Sequence, residues 1–446
     1  MVRLGTSMRK MKNSGVDWIG QIPSDWDVTR IGYESWIRAR LGWKGLKAEE
    51  YVDEGFAFLS AFNIVDDKLQ WENLNFINQQ RYDESPEIKL KKGDILLVKD
   101  GAGIGKCARI DSLPIGAATT NGSLAVISTH AKLSYRYLYF YLLSPIFQNY
   151  IYRLMNGMGV PHLSQEELRK IQIPFPPIDE QKKIADFLDE KCGEIDSIRS
   201  DIQKQIDILN DYKKSVITEA VTKGLNPKAK LKDSGIEWIG KIPEGWDVKR
   251  FKYIADALYK GNGITKEQVF LDGNTQCVRY GEIYSKYNIS FSDCLSLTKC
   301  ELISPPQYFE YGDILFAGTG ELVEEIGKNI VYLGNEKCLA GGDIVVARHS
   351  QNPSFLNYAL GSSYCQSQKS SGKAKLKVVH ISATQIGNIL VAIPPLPEQK
   401  AIADYLDEKC SEIDATIADK QKQLEILDEY KKSLIFEYVT GKKEVP

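Results

Sequence analysis

The sequence predicts a mixed α/β (α+β) protein of two globular domains, each followed by a long helix, the whole built as an internal repeat. Three observations carry that expectation. The segment KNSGVDWIGQIPSDWDVTRI from Lys12 returns as KDSGIEWIGKIPEGWDVKRF from Lys232, with 12 of 20 positions identical at an offset of 220. The block EQKKIADFLDEKCGEIDSIRSDIQKQIDILNDYKKS from Glu180 returns from Glu398, with 24 of 36 positions identical at an offset of 218. Between these blocks the copies diverge, yet both keep short alternating apolar runs suited to strands. Two equivalent frames with different inserts suit one task performed on two different targets.

A chain of 446 residues exceeds what one core usually organises. The boundaries read as a first domain over 12–172, a first helical spacer over 173–224, a second domain over 225–392 and a second spacer over 393–446. No apolar run approaches the ~20 residues needed to cross a bilayer, and the N-terminal residues lack a signal peptide's apolar core. The expectation is a cytoplasmic protein without a membrane partner. Its eight cysteines include no CxxC pair, and Cys192 and Cys410 are one repeated position, which favours reduced thiols over a zinc or disulfide framework. No metal is expected.

Within each insert the runs FAFLSAFNIV, GDILLVKDG and SLAVIS in the first copy read as strands, followed by a helix from Ser134 that Pro145 interrupts or restarts. The second copy keeps the order with QCVRYGEIY, GDILFAGTG, DIVVARHS and a helix after Pro353. The aromatic residues Tyr135, Tyr137, Tyr139, Phe140 and Tyr141 fall at helical spacing, which suits core packing more than base stacking.

Each spacer opens after prolines (Pro174, Pro176 and Pro177; Pro394, Pro395 and Pro397), with Asp179 and Glu180, or Glu398, placed where the helix dipole favours negative charge. Leu188, Ile195, Ile202, Leu209 and Val216 recur every seven residues, with Ile184, Ile198 and Tyr212 at the complementary spacing. The second copy reads Leu406, Ile413, Lys420, Leu427 and Leu434, with Ile402 and Tyr430 complementary and Ile417 and Leu424 alongside. The first helix should run to about Thr222, roughly 40 to 45 residues or ~60–65 Å. The polar positions Lys191, Gln205, Lys409, Lys420 and Gln423 either specify register or leave room for a further helix. Helices that merely pack on their own domains remain the alternative.

Charge divides unevenly. Residues 178–224 hold 8 basic and 11 acidic side chains and residues 396–442 hold 7 and 11, so these blocks carry −7 within a chain of −2 and the remainder carries +5. Mildly basic inserts on an acidic frame suit DNA contact, because phosphate neutralisation supplies most non-specific affinity. Ordinary surface charge would give the same figure.

Apparent catalytic signals fail on inspection. DGAGIGK at 100–106 lacks both ends of a phosphate-binding GxxxxGK[ST] loop, with Asp100 at one and Cys107 at the other. FAGTG at 316–320 resembles a methyltransferase cofactor turn, but the first copy reads LVKDG there and no [DNS]PP[YF] motif occurs. The four histidines form two repeated pairs, His130 with His349 and His162 with His380, without a carboxylate or cysteine at ligand spacing, so they read as structural hydrogen-bonders. No catalytic residue is expected.

The order SGVDWIGQIPSDWDVTRI, GDILL, GKCARI, PHLSQEELRKIQIPFPP and EQKKIADFLDEKCGEIDSI, repeated as SGIEWIGKIPEGWDVKRF, GDILF, HISATQIGNILVAIPPLP and EQKAIADYLDEKCSEIDATI, resembles the specificity subunit of type I restriction-modification enzymes. The resemblance covers the chain beyond Lys12, and the WIGxIPxxW and PxPxxEQxxIAxxLDxK segments are specific in combination. It implies two target-recognition domains, each reading half of a bipartite DNA sequence, held apart by two antiparallel coiled-coil helices in a pseudo-two-fold arrangement. It also implies docking of two methyltransferase subunits, with restriction and translocase subunits joining through the complex. S-adenosylmethionine, ATP and Mg would serve the complex and bind other chains, leaving this one without a cofactor.

Two different inserts in one frame should read different half-sites about one helical turn apart on double-stranded DNA, giving an asymmetric target, with the helices as rulers of the gap. Candidate DNA contacts are Lys44, Lys47, Arg81, Lys99, Lys106 and Arg109 in the first domain. In the second they are Lys260, Asn262, Lys266, Arg279, Tyr280, Lys286, Lys373, Lys375 and Lys377. Candidate helix-seam and partner-binding residues are Leu188, Ile195, Ile198, Ile202 and Leu209, with Leu406, Ile413, Ile417, Leu424 and Leu427. A coiled-coil scaffold without DNA readout is the competing reading.

Overall fold

The computed structural model of the chain describes residues 9–40, 46–155, 162–320, 322–371 and 379–446. The chain divides into two compact units, one of Met1–Ile202 with Lys422–Pro446 and one of Gln203–Gln421. Each combines one mixed α/β domain with the first part of one long helix and the last part of the other. The long helices are Ile178–Lys223 and Leu396–Val439.

In the first unit a four-stranded antiparallel sheet runs in the order Cys107–Arg109, Asp94–Val98, Leu124–Thr129, Ser35–Arg38. Beside it is a three-stranded sheet in which Phe56–Leu59 pairs parallel with Ala118–Thr120 and antiparallel with Asn75–Ile77. The second unit has the same scheme with an extra strand on each sheet. Its larger sheet runs Ala255–Lys260, Ile344–His349, Ile314–Ala317, Asn329–Tyr332, Ser290–Phe291. In its smaller sheet Thr275–Val278 pairs parallel with Cys338–Ala340 and antiparallel with Ser296–Thr298, while Tyr308–Phe309 forms the edge.

The period-two alternation of strand side chains explains why the central strands are apolar throughout. In the first unit Ile95, Leu97, Ala125 and Ile127 face a core shared with the helices, while Leu96, Val98, Leu124 and Val126 face a second core under the smaller sheet. The second unit repeats the division, with Ile314, Phe316, Val345 and Ala347 on one side and Leu315, Ala317, Ile344 and Val346 on the other. The helix expected from Ser134 is Tyr135–Leu143, and Pro145 restarts it as Pro145–Met155. Tyr137, Tyr139, Phe140 and Tyr141 are buried in that core. Two runs differ from expectation: FAFLSAFNIV breaks after Leu59 into the turn Ala61–Asn63, and in QCVRYGEIY the strand ends at Val278 and a helix, Tyr280–Ser285, begins, with Glu282 bonding back to the Arg279 backbone as a capping residue.

Each long helix starts at one repeated anchor. Trp26 Nε1 donates to Glu180 Oε2 at 2.8 Å, and Trp246 Nε1 donates to Glu398 Oε2 at 3.0 Å. The next residue closes the joint: Gln181 Nε2 donates to the Pro176 carbonyl and Gln181 Oε1 accepts from the Ser134 amide, as Gln399 does with Pro394 and Asn352. These bonds satisfy backbone groups that the proline turn and helix start would otherwise leave unpaired.

Within each unit the two helices pack antiparallel. In the first, Asp196 meets Lys431 (2.7 Å), Arg199 meets Asp428 (2.6 Å) and Phe187 meets Tyr438 at a ring-centroid distance of 4.5 Å. In the second, Lys213 meets Asp414 at 2.6 Å, the repeat equivalent of the Lys431–Asp196 pair. Leu188, Ile195, Ile202, Leu406, Ile413 and Ile417 are buried, and Leu209, Leu424 and Leu427 are half-buried. Of the expected complementary column Ile184 and Ile402 are buried, but beyond Leu188 the column on the first helix is shifted by one residue. It consists of Cys192, Arg199, Ile206, Lys213 and Ala220, while Ile198 is 49% exposed and Tyr212 and Tyr430 also face outward. The pattern concealed this because two of its five positions are charged residues that bury their stems and pair across the seam. Burial raises the Cys192 thiol to about 11, so it stays protonated as a small apolar group.

The shifted column makes Ile206→Asp the damaging substitution, costing about 3 kcal/mol or more through an unpaired buried charge. Ile198→Asp should stay within about 0.5 kcal/mol. Urea unfolding of the full chain carrying either change distinguishes the two columns. Trp26→Phe, which removes the indole donor and leaves Glu180 with Arg9 at 2.6 Å, should lower stability by about 1 kcal/mol in the same measurement, and no change would show that the anchor is dispensable.

Candidate nucleic-acid interface

The candidate contacts of the second unit converge on one place. The chain after Lys260 runs against the Ala340–Gly342 turn: the Gly261 amide donates to the Ile344 carbonyl, the Asn262 amide to Ala340, and the Gly341 amide to Val278 beside Arg279. Lys260, Lys266, Arg279 and Tyr280 therefore rise from adjoining loops at one end of the two sheets. Lys266 is exposed, Tyr280 is 41% exposed, and among the described residues Lys260 makes a single, long 3.5 Å ion pair, with Asp343. Gly261 has a packing reason, since a Cβ there would lie 2.3 Å from the Gly341 carbonyl oxygen.

Other residues of this set hold the platform together. Asn262 uses its whole amide on backbone, donating to the Pro305 carbonyl (2.7 Å) and accepting from the Gln307 amide (2.6 Å). Lys286 reaches the buried Glu282 at 2.7 Å, with the Arg279 guanidinium 3.7 Å away. Burial pushes the Glu282 carboxyl up, but bonds from Lys286, Ser296 and the Arg279 amide outweigh it and leave the pKa below the ordinary value. Lys373, Lys375 and Lys377 lie outside the described residues.

The first unit distributes its candidates over three places, and Lys44 lies outside the described residues. Lys47 is exposed and its amide donates to Glu50, which also pairs with Arg81; Arg81 holds Glu84 as well, at 2.7 Å. Lys99 pairs with Asp100 (2.6 Å), while Lys106, at the far side of the same tight loop, is exposed. Arg109 faces the long helix: it pairs with Asp189 at 2.6 Å and Asp111 at 2.8 Å. Burial works against its charge, and the two carboxylates more than compensate, so its pKa lies above the ordinary guanidinium value. In this conformation Arg109 fastens domain to helix, and of these candidates Lys47 and Lys106 are exposed without an ion pair among the described residues.

The histidines divide by repeat position. His349 is half-buried and accepts from the Gln351 amide at 3.2 Å, with desolvation lowering its pKa to about 4. His162 bonds Asp100, a carboxylate that sequence spacing had not placed beside it, and the equivalent His380 bonds Thr319 at 3.0 Å. Among the described residues no group of three or more His, Cys, Asp or Glu side chains is arranged to hold a metal ion. No helix of the described residues is long and apolar enough to cross a membrane.

Sequence reasoning passed over an exposed set: Arg30, Tyr33 and Arg169 in the first unit and Arg250, Lys252 and Tyr253 in the second. The signal was present, because Arg30 and Arg250, and Tyr33 and Tyr253, repeat at the offset of 220.

The family model for the type I restriction modification DNA specificity domain matches residues 48–208 and again 243–426. The chain is 26% identical over 435 residues to the type I restriction enzyme MjaVIII specificity subunit of Methanocaldococcus jannaschii, covering 95% of this chain and 94% of that protein. It is 21% identical to the EcoKI specificity subunit of Escherichia coli K12, covering 87% and 83% of the two chains. A solved chain from a type I R-M system superposes with a TM-score of 0.68 at 16% identity, covering 95% of this chain and 99% of that one, which shows the shared fold. With the family model matched once in each repeat, the chain belongs to the family of type I restriction-modification DNA specificity proteins.

Proposed function

We propose that the chain is the non-catalytic specificity subunit of a cytoplasmic type I complex, reading an asymmetric, bipartite sequence on double-stranded DNA with one half-site per unit. The observation that carries this is a common frame presenting unlike chemistry. After the equivalent third strand of the smaller sheet, the first copy continues into the helix Gln79–Asp83, whereas the second continues into the shorter turn Cys300–Leu302. Unlike loops at one place in one fold suit different base edges. The antiparallel helices would set the gap between half-sites.

The helices also supply a basis for docking two methyltransferase subunits. Ile208 and Tyr212 in the second unit are 67% and 49% exposed, and their repeat equivalents Ile426 and Tyr430 in the first are 58% and 55% exposed. An i,i+4 spacing puts each pair on one helix face, and large apolar side chains retained outward at the same place in both copies suit a recurring protein contact. Restriction and translocase subunits would join through that complex. S-adenosylmethionine, ATP and Mg would be used by those other subunits.

Methylation sequencing of DNA from cells expressing this chain with its cognate methyltransferase subunit should reveal a bipartite asymmetric motif that disappears when this chain is omitted. No chain-dependent motif, with both proteins folded and associated, would favour a scaffold without DNA readout. For the docking faces, Ile208→Glu with Tyr212→Glu, or Ile426→Glu with Tyr430→Glu, should each reduce bound methyltransferase from two copies to one in native mass spectrometry. Retention of two copies by both variants would place the contact elsewhere.

A further inference from the structure

The exposed set passed over by the sequence reading brings a strand-end arginine, a second cation and an exposed tyrosine together in both units. In the first, Arg30 ends the strand Asp27–Arg30 and donates from Nη1 to the Tyr33 hydroxyl at 3.4 Å, with the guanidinium 5.6 Å from the ring centroid. Tyr33 is 68% exposed. In the second, Arg250 ends the strand Asp247–Arg250, Tyr253 is 73% exposed, and Lys252 Nζ lies 5.1 Å from its ring.

A third cation is retained by a reciprocal exchange. A Cβ on Gly32 would stand 2.7 Å from Arg169 Cβ, so the glycine makes room for the arginine stem. Position 32 corresponds to Lys252 and position 169 to Gly387, and a Cβ on Gly387 would stand 3.2 Å from Lys252 Cβ. Each copy thus has one glycine and one cation at this crossing, supplied from opposite chain segments. The charge is kept although the residue carrying it changes.

Arg30, Arg169, Arg250 and Lys252 are exposed, and none forms an ion pair with a carboxylate among the described residues, whereas Arg81, Arg109, Arg136 and Arg348 all do. Charges left unneutralised by the protein are available to an external anion. An element common to both copies is unsuited to telling one half-site from the other, but it suits what every half-site shares. Resting on the specificity reading above, we infer that Arg30, Tyr33 and Arg169 in one unit, and Arg250, Lys252 and Tyr253 in the other, each form a sequence-independent clamp for backbone phosphate of the DNA duplex. The cations neutralise phosphate; Tyr33 orients Arg30 in the first unit and Asn388 Oδ1 accepts from Arg250 at 3.4 Å in the second, while each tyrosine offers its hydroxyl as a further donor.

The test uses the full chain assembled with its methyltransferase subunits, on one duplex carrying the methylated motif and one lacking it, titrated across 50 to 200 mM salt. Arg30→Gln with Arg169→Gln, or Arg250→Gln with Lys252→Gln, should flatten the slope of log affinity against log salt by roughly 1.8, at about 0.9 per lost phosphate contact. Over that range the wild type should lose about tenfold more affinity than either variant. Affinity for both duplexes should fall together, and the methylated motif should stay unchanged. Arg30→Lys with Arg169→Lys, and the transplanted arrangement Gly32→Lys with Arg169→Gly, should behave like the wild type. An unchanged slope, an altered motif, or loss of methyltransferase with the slope intact would overturn the clamp, the last assigning the cluster to a protein contact. A wild-type complex with no preference for the motif duplex would instead remove the reading on which the clamp rests.

Discussion

The bond from a buried indole to the first-turn carboxylate of each long helix is the constraint on which the two units depend. Trp26 and Trp246 are essentially inaccessible, and each directs its only polar atom at Glu180 or Glu398. The carboxylate sits where unpaired amides and the helix dipole favour negative charge, so one interaction satisfies the indole and stabilises the helix start. Gln181 and Gln399 then fix the proline turn and the start of the domain helix. The direction in which each helix leaves its domain is set by these few side chains. Loops remote from the anchor are released from that task and free to change.

Charge follows the same division. Much of it is used internally: Lys431 with Asp196 and Lys213 with Asp414 tie helix to helix at one repeated position, and Arg109 and Arg136 tie the first domain to Asp189. Half-buried pairs of this kind specify register more than they add stability. Among the described residues the exposed cations outside these pairs include some in unlike loops, such as Lys106 and Lys266, and some at identical repeat positions, such as Arg30 and Arg250. The unlike ones suit reading and the identical ones suit holding.

The duplication, the two long helices and the paired strand runs were legible because each rests on local pattern: repeated identity, heptad spacing and alternation. The seam was half legible. Leu188, Ile195 and Ile202 announce one column, but Arg199 and Lys213 occupy the other, and charged residues that lie flat across a seam are invisible to an apolar count. The fate of individual cations was not legible, because it depends on partners far along the chain. Arg81 meets Glu50 across 31 residues and Arg109 meets Asp189 across 80, and nothing local distinguishes them from exposed Lys106 or Lys266. The exchange of Gly32 and Arg169 for Lys252 and Gly387 likewise becomes visible only when the two segments are seen to cross.

Equivalence of the frames is the central claim, and the ends of each insert show where to test it. Ile31 and Ile171 are joined by a 2.9 Å backbone bond at the mouth of the first insert, and Phe251 and Ile389 by a 2.8 Å bond at the mouth of the second. Residues 251–389 can therefore replace residues 31–171, giving a chain with the second reader in both frames. Methylation sequencing of cells carrying that chain with the cognate methyltransferase should return a palindromic motif built from one original half-site twice. A folded, assembled chain that still directs the original asymmetric motif, or directs none, would contradict the account.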